Sequence, residues 1–318
     1  MIDRDRLIDD IRDIIGKSGF YSTDQCDIRS TSFDVIARRD DMLLIIKVLL
    51  NVDAISRENA KEIKTLSKLL NGTALLIGER SCFGKLEGGV LYIRHGVTML
   101  SRETLYEYFI EGVPPFIYAA PGGLCTRINS KVLREFREKN SISLGEFADR
   151  IGVSRKAIQL YEDGMGATIE VATKIEEVVR EDVILPLNPL SRAEGSEDWY
   201  DGTSLENENI CSLERSVFTQ LHQLGYMVIP IAKCPFNALT KNEKCVIITG
   251  IGKYNKDLIK KAHIIKSISK ITEKEAVFFV EKIKHDSIGG APIIGINELK
   301  KIREPEKILE LIQERKVD

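Results

Sequence analysis

The sequence contains no apolar stretch long enough to cross a bilayer. Its longest run, Met42-Leu-Leu-Ile-Ile, stops at Lys47, whereas a spanning helix needs about 20 such residues. The N-terminal segment MIDRDRLIDD is polar and acidic, where a signal peptide would be basic and then apolar. A cytoplasmic protein without membrane contact is therefore expected. There is also no excess of one charge: 46 Lys and Arg stand against 48 Asp and Glu, for a net charge of −2. No global positive field is available, so any nucleic-acid contact must come from a local patch. Six cysteines (Cys26, Cys82, Cys125, Cys211, Cys234, Cys245) include no CxxC, and His95, His222, His263 and His285 show no paired ligand spacing. That argues against a zinc module or a disulfide scaffold. Neither metal nor cofactor is expected, and the thiols read as reduced and partly buried. Gly250-Ile-Gly252-Lys253 has no second half of a phosphate loop.

What is present is a chain of 318 residues, 43% apolar, enough for two or three domains. Breakers cluster at Gly112-Val-Pro-Pro and Ala119-Ala-Pro-Gly-Gly, which helices and central strands avoid. From Leu185 to Asn209, Pro, Ser, Gly, Asn and acids replace the periodic apolar pattern, as in an exposed linker. The spacing predicts a domain over residues 1–118, a second over 125–184, a linker over 185–209 and a last domain over 210–318. The outer segments mix helical patterns with runs such as Leu43-Leu-Ile-Ile and Val246-Ile-Ile, which suit buried strands. The middle segment is helical throughout.

In that middle segment Ser130 is placed to cap a helix whose Val132, Leu133 and Phe136 form one apolar stripe. Ser143 and Glu146 then have the spacing of a capping box opening a second helix at Leu144. Phe147 and Ile151 point to the core, and Ala148 is small enough for another helix to cross. Gly152 suits the positive φ of a tight turn. Ser154 caps a third helix, with Ile158 and Tyr161 facing inward, and a fourth from Thr168 carries Val171, Ala172, Ile175, Val178 and Val179.

This spacing resembles the helix-turn-helix of the Cro and lambda-repressor family, with Ala148, Gly152 and Ile158 at the fifth, ninth and fifteenth places of a motif starting at Leu144. Leu144 stands where that family often has a phosphate-contacting Gln, and Ala167 where it often has Pro. The resemblance implies that the third helix enters the major groove of double-stranded DNA. Its outward residues are Ser154, Arg155, Lys156 and Gln159, with Ser143 as a further candidate contact. Arg and Lys suit guanine edges, Gln can pair bidentately with adenine, and Ser serves phosphate or base. Acids such as Glu135, Glu138, Glu146, Asp149, Glu162 and Asp163 offset the basic residues of this unit. One copy should bind weakly, and a homodimer on two half-sites is the natural remedy.

The outer segments repeat one order of elements: helix, three strands, helix, strand. Phe33 and Phe236, like Ala74 and Val277, lie 203 positions apart, which suggests a duplicated domain. That order resembles the restriction-endonuclease-like fold, whose signature is Asp, a gap, then Asp/Glu-x-Lys, with the carboxylates holding Mg²⁺ and the Lys activating water. Asp34 stands at the first acid and Lys47 at the Lys, but Ile45 occupies the second acid. In the second copy Asn237, Ile248 and Gly250 fill the three places. Asp34 and Lys47 are therefore vestigial candidates, with no catalytic residue expected; Glu58 or Glu62 would be the replacement acid if activity survived. The fold class expected is multidomain: an α/β restriction-endonuclease-like domain, a central all-α Cro/repressor-type helix-turn-helix and a second α/β domain of similar topology.

Taken along its whole length, the chain resembles a family of archaeal helix-turn-helix transcriptional regulators. That implies a sequence-specific DNA-binding regulator rather than an enzyme, with an effector the residues do not identify. Two other readings stand beside it, a Mg²⁺-dependent nuclease or resolvase, and a coactivator that uses the helical unit to bind protein.

Overall fold

The computed structural model describes residues 3–23, 32–191, 210–231, 234–283 and 285–316. The chain begins α1 (Arg4–Lys17), β1 (Tyr21–Ser22), β2 (Val35–Arg39), β3 (Met42–Asn51), α2 (Arg57–Leu69) and β4 (Thr73–Ser81). It continues β5 (Gly84–Lys85), β6 (Val90–Arg94), β7 (Val97–Ser101) and the short α3 (Arg102–Tyr106). Asp3 caps α1 by accepting from the Arg6 amide at 2.8 Å, and Leu7, Ile11 and Ile15 bury one stripe of the helix completely. β2 and β3 pair antiparallel, Val35 opposite Ile46 through Arg39 opposite Met42. Their apolar residues form a continuous run because both faces of this sheet are covered.

The last segment runs α8 (Ser212–Gln223), β12 (Met227–Pro230), β13 (Ala238–Lys241), β14 (Val246–Gly252), α9 (Lys256–Thr272), β15 (Glu275–Val280), β16 (Ser287–Ile288), β17 (Ala291–Gly295), α10 (Ile296–Leu299) and α11 (Glu306–Arg315). The intervening numbers belong to the middle segment: β8 (Ile117–Ala120), β9 (Gly123–Ile128), α4 (Ser130–Lys139), α5 (Leu144–Ile151), α6 (Arg155–Glu162), β10 (Ala167–Thr168), α7 (Ile169–Val179) and β11 (Ile184–Leu185).

The two α/β segments share their strand order. The first follows β1-β2-β3-β4-β7-β6 and the last β12-β13-β14-β15-β17-β16. The registers agree as well: Val35 pairs with Ile46 and Ala238 with Thr249, each 203 positions on. The helices between them match differently, since the buried Ala60, Ile63 and Leu66 correspond to Ala262, Ile265 and Ile268, 202 positions on. One residue is therefore lost between the strand pair and the helix, where a loop absorbs it without turning a buried face outward.

Contacts gather the chain into two compact units. One holds Met1–Val48, Ala54–Leu75 and Glu194–Asp318, the other Leu49–Asp53 and Leu76–Ala193. The segments expected from the sequence cut the chain differently. The breakers at 119–123 form a hairpin turn: β8 and β9 pair antiparallel, Ile117 opposite Thr126 through Ala120 opposite Gly123. Gly122 and Gly123 there take φ of 101° and 136°, which non-Gly residues avoid. β9 then pairs with both β10 and β11, so this hairpin frames the helical bundle at its two ends. β7 lies beyond the expected order of helix, three strands, helix and strand, and is followed by α3 and a π-helical turn, Glu107–Glu111. Of the predicted linker, residues 192–209 lie outside the described residues. Before them the Leu187 amide donates to the Pro115 carbonyl at 2.8 Å.

Candidate nucleic-acid interface

The helical bundle closes over Leu133, Phe147, Ile158 and Ile175, all fully buried, with Ala148 at 2% exposure where α5 and α6 cross. Ser143 caps α5 by accepting from the Glu146 amide at 3.1 Å. Glu146 does not return the bond; its carboxylate takes Arg150 at 2.7 Å, one turn along. The expected capping box is thus only half made, because an exposed Arg at i+4 competes for the carboxylate. At α4 the cap is Asn129, whose Oδ1 accepts from the Val132 amide at 3.3 Å. Ser130 is instead the first helical residue, and its hydroxyl donates to the Tyr161 carbonyl at 2.6 Å, tying α4 to α6.

α5 ends at Gly152, whose φ of 79° lets its amide close on the Ala148 carbonyl. Two residues later Ser154 caps α6, accepting from the Ala157 amide at 3.1 Å. Ser154, Arg155, Lys156 and Gln159 are all exposed, while Ile158 and Tyr161 face inward. The same exposed surface includes Leu160, which the apolar pattern alone would assign to the core. Ser143 is exposed as well; both capping serines use an oxygen lone pair on their helix and keep the hydroxyl proton to donate.

Most of the acids that offset this unit are engaged by cations of α4 and α5. Glu162, with its side chain 6% exposed, receives two bonds from Arg137 at 2.6 and 3.0 Å. This bidentate bond pushes the Arg137 guanidinium pKa up. Arg134 bridges Glu162 and Asp163, Arg150 takes Glu146 and Lys131 takes Glu135. These partners lie on α4 and α5, none of them on the outward face of α6. The pairing of Glu135, Glu146, Glu162 and Asp163 with these cations offsets their charge, while Arg155 and Lys156 stay exposed on α6.

The signature positions of the first α/β segment give a different result. Asp34 is buried just before β2, and both its oxygens are taken. Oδ2 accepts from the Val48 amide at 2.7 Å, and Oδ1 faces Arg4 and the Lys47 ammonium, the latter at 3.4 Å. Burial pushes the Lys47 pKa down, and Asp34 offsets part of that. Ile45 is fully buried. Glu62, the replacement acid on α2, accepts the Ser32 hydroxyl. Among the described residues no group of three or more His, Cys, Asp and Glu side chains converges as a metal site. Mg²⁺ requires oxygen donors at octahedral angles, and one saturated carboxylate beside an ammonium and an Ile does not fit it.

In the second copy the corresponding Asn237 keeps the backbone geometry. Its Oδ1 accepts from the Ile251 amide at 2.8 Å, as Asp34 accepts from Val48, 203 positions earlier. Its amide donates to the Thr249 carbonyl at 2.8 Å, as that of Asp34 does to Ile46. Its Nδ2 donates to Glu214 on α8, where Asp34 meets Arg4 on α1. Both copies thus use this position to tie the first helix to the end of a strand pair.

An α/β domain of this topology followed by a helix-turn-helix defines a class of protein, and comparison with known sequences supports it. Residues 4–115 match a PD-(D/E)XK superfamily domain and residues 133–183 a helix-turn-helix. A curated relative from Methanocella arvoryzae is 38% identical over 315 residues, covering 99% of this chain and 97% of its own. Another, from Methanosarcina acetivorans, is 37% identical over 318 residues, covering 98% and 97%. Both bear the name "Putative HTH-type transcriptional regulatory protein". The chain belongs to this family of archaeal HTH-type transcriptional regulatory proteins. No solved structure matches it. No helix of the described residues is long and apolar enough to cross a membrane.

Proposed function

We propose that this protein is a sequence-specific transcriptional regulator that sets α6 into the major groove of duplex DNA, with Arg155, Lys156 and Gln159 at base edges and Ser143 and Ser154 at phosphates. The observation that carries this is the exposed face of α6, with Ser154, Arg155, Lys156 and Gln159, presented by a bundle in which Glu162 and Asp163 pair with Arg134 and Arg137. The protein acts as a homodimer in the cytoplasm, since a unit with so little net positive charge gains tight binding by joining two half-sites. Its domains are a PD-(D/E)XK-type α/β domain, the helix-turn-helix and a second α/β domain repeating the first. Neither α/β copy cuts nucleic acid, because Asp34 and Lys47 serve the fold.

Selection of genomic DNA fragments by the purified protein in EDTA tests the reading. A defined motif is expected, with Gln159→Ala or Arg155→Ala changing its sequence by about 1–3 kcal/mol of discrimination. Identical motifs and affinities for wild type and both variants would remove α6 from the groove. Sedimentation that shows only the 35.8 kDa chain, with and without DNA, would exclude the dimer. Cleavage of supercoiled DNA in Mg²⁺ or Mn²⁺ that is lost in Lys47→Ala would restore a nuclease.

A further inference from the structure

The charge of the chain is unevenly divided. Residues 1–209 hold 27 Lys and Arg against 35 Asp and Glu, and residues 210–318 hold 19 against 13. The helix-turn-helix thus belongs to the acidic part, at −8, and the second α/β copy carries +6. Every acid of that copy is in the count, so the excess survives whatever pairs form within it. Counterion release from phosphates supplies essentially all of the non-specific affinity for duplex DNA, and the acidic part cannot supply it from its net charge.

The excess is concentrated on α9, where Lys256, Lys260, Lys261, Lys266 and Lys270 stand against Asp257. Leu258, Ala262, Ile265 and Ile268 bury one face of this helix. Opposite them Lys256, Lys260, His263 and Lys270 are exposed along one line, at the three- and four-residue steps of a single helix face. Lys261 and Lys266 are half-buried, Lys266 is already engaged, and neither belongs to this line. Among the described residues Lys256, Lys260 and Lys270 stand in no ion pair; the pairs nearby use other cations, Lys253 holding Glu281 at 3.5 Å and Arg38 holding Glu273 at 2.7 Å. The carboxylates left beside the line are Asp257, to one side in the first turn, and Asp40, which borders the same hollow as Lys270.

The first copy shows that the fold does not require this charge. At the shift of 202 positions that relates α2 to α9, the exposed Glu58 stands where α9 has Lys260. Lys256 and Lys260, one turn apart, repel, and Lys256 lies at the positive end of the helix dipole, where a cation is disfavoured. A polyanion laid along the line removes that cost. From Lys256 to Lys270 the line runs about 21 Å at ~1.5 Å per residue, the length of about six base pairs at ~3.4 Å each.

We propose that α9 of the second α/β copy binds the phosphate backbone of duplex DNA through Lys256, Lys260 and Lys270, giving the regulator a contact that is independent of sequence. An ammonium meets phosphate as a point charge on a flexible stem, which suits a row of identical anions. The proposal rests on duplex DNA being the partner, not on α6 reading its bases.

Binding of the full chain to a duplex that carries the selected motif and to one that lacks it, each measured over a range of salt, tests this. Lys256→Gln/Lys260→Gln/Lys270→Gln should reduce the slope of log affinity against log salt by about 3, at ~0.9 per phosphate contact. Affinity should fall by roughly tenfold or more at about 0.1 M salt, equally on both duplexes, with the selected motif unchanged. The melting temperature should stay near wild type, because the three side chains are exposed. Lys260→Glu alone, which places the residue of α2 at the matching position, should weaken binding to both duplexes more than Lys260→Gln does. An unchanged slope and affinity in the triple variant would overturn the proposal, as would a loss confined to the motif duplex. Lysine-dependent binding to single-stranded RNA with none to duplex DNA would overturn it in favour of another partner. Gln159→Ala should change the motif and leave the salt slope alone, so the reading of α6 and this one can fail separately.

Discussion

Replacement of Asp34 separates a structural carboxylate from a metal ligand. In Asp34→Ala the Val48 amide loses its acceptor and Lys47, 13% exposed, loses its counter-charge. Breaking a buried pair by removing one partner costs about 3–5 kcal/mol, and a stranded buried donor about 1–3 kcal/mol. The two overlap, so roughly 3–5 kcal/mol is the expected total. Arg4, with its side chain 39% exposed, is rehydrated and adds little. Asp34→Asn keeps an oxygen for Val48, as Asn237 does for Ile251, and should lose less. Lys47→Met in the Asn background removes the buried ammonium that Asp34 offsets and should recover most of the remainder. Urea midpoints should therefore rise in the order Ala, Asn, Asn with Met, and exchange of the Val48 amide should be fastest in Asp34→Ala. If the double variant is as unstable as Asp34→Ala, or if all three variants match wild type, Asp34 does not brace the fold and the argument against a metal site falls with it.

Three further outcomes are expected. Glu162→Ala leaves Arg137 without its buried partner, at a cost of about 3–5 kcal/mol felt in the helix-turn-helix unit, so DNA affinity should fall through local unfolding while the selected motif stays the same; a changed motif would refute this. In Gly166→Ala the new Cβ would stand 2.0 Å from the Tyr118 hydroxyl oxygen and 2.7 Å from the Thr126 carbonyl; a loss of about 1–3 kcal/mol should persist in Tyr118→Phe, because the carbonyl is backbone, and full rescue would show that the hydroxyl alone matters. Burial pushes the Tyr226 pKa from 10 up to about 12, so its stabilising contribution is complete below pH 10 and is lost as pH rises toward 12, at most about 1.4 kcal/mol per pH unit. Tyr226→Phe should lose the bond to the Pro305 carbonyl, 2.9 Å in wild type, yet show a flatter alkaline decline; an unchanged slope would remove Tyr226 as its source.

The helix-turn-helix was legible because its determinants are local. Gly152 supplies a positive φ, Ser143 and Ser154 cap within three residues, and Phe147, Ile151 and Ile158 follow the helical period. The half-made capping box has a local cause as well, since Glu146 has the Ser143 amide and Arg150 within reach and the exposed i,i+4 ion pair takes its carboxylate. The hairpin of β8 and β9 was read as a boundary because Pro121, Gly122 and Gly123 break regular structure; such residues also make the turn of a hairpin, and only pairing partners decide between the two.

The sequence by itself determined which residues of α6 are exposed and which residue stands at the second acid of the signature. Residue type decides both: Ile45 has no lone pair for a hard cation, and the side chains of Ser154, Arg155, Lys156 and Gln159 face outward once Ile158 and Tyr161 face in. The tertiary structure decided what long-range contact alone can set. It turned Asp34 into a bracket between α1 and β3, repeated as Asn237 between α8 and β14. It paired Glu162 with Arg137, 25 residues away, and collected Lys266, Lys274 and Lys316 around one cavity. A buried polar group takes whichever partner the fold brings within hydrogen-bond reach, and spacing along the chain does not specify that partner.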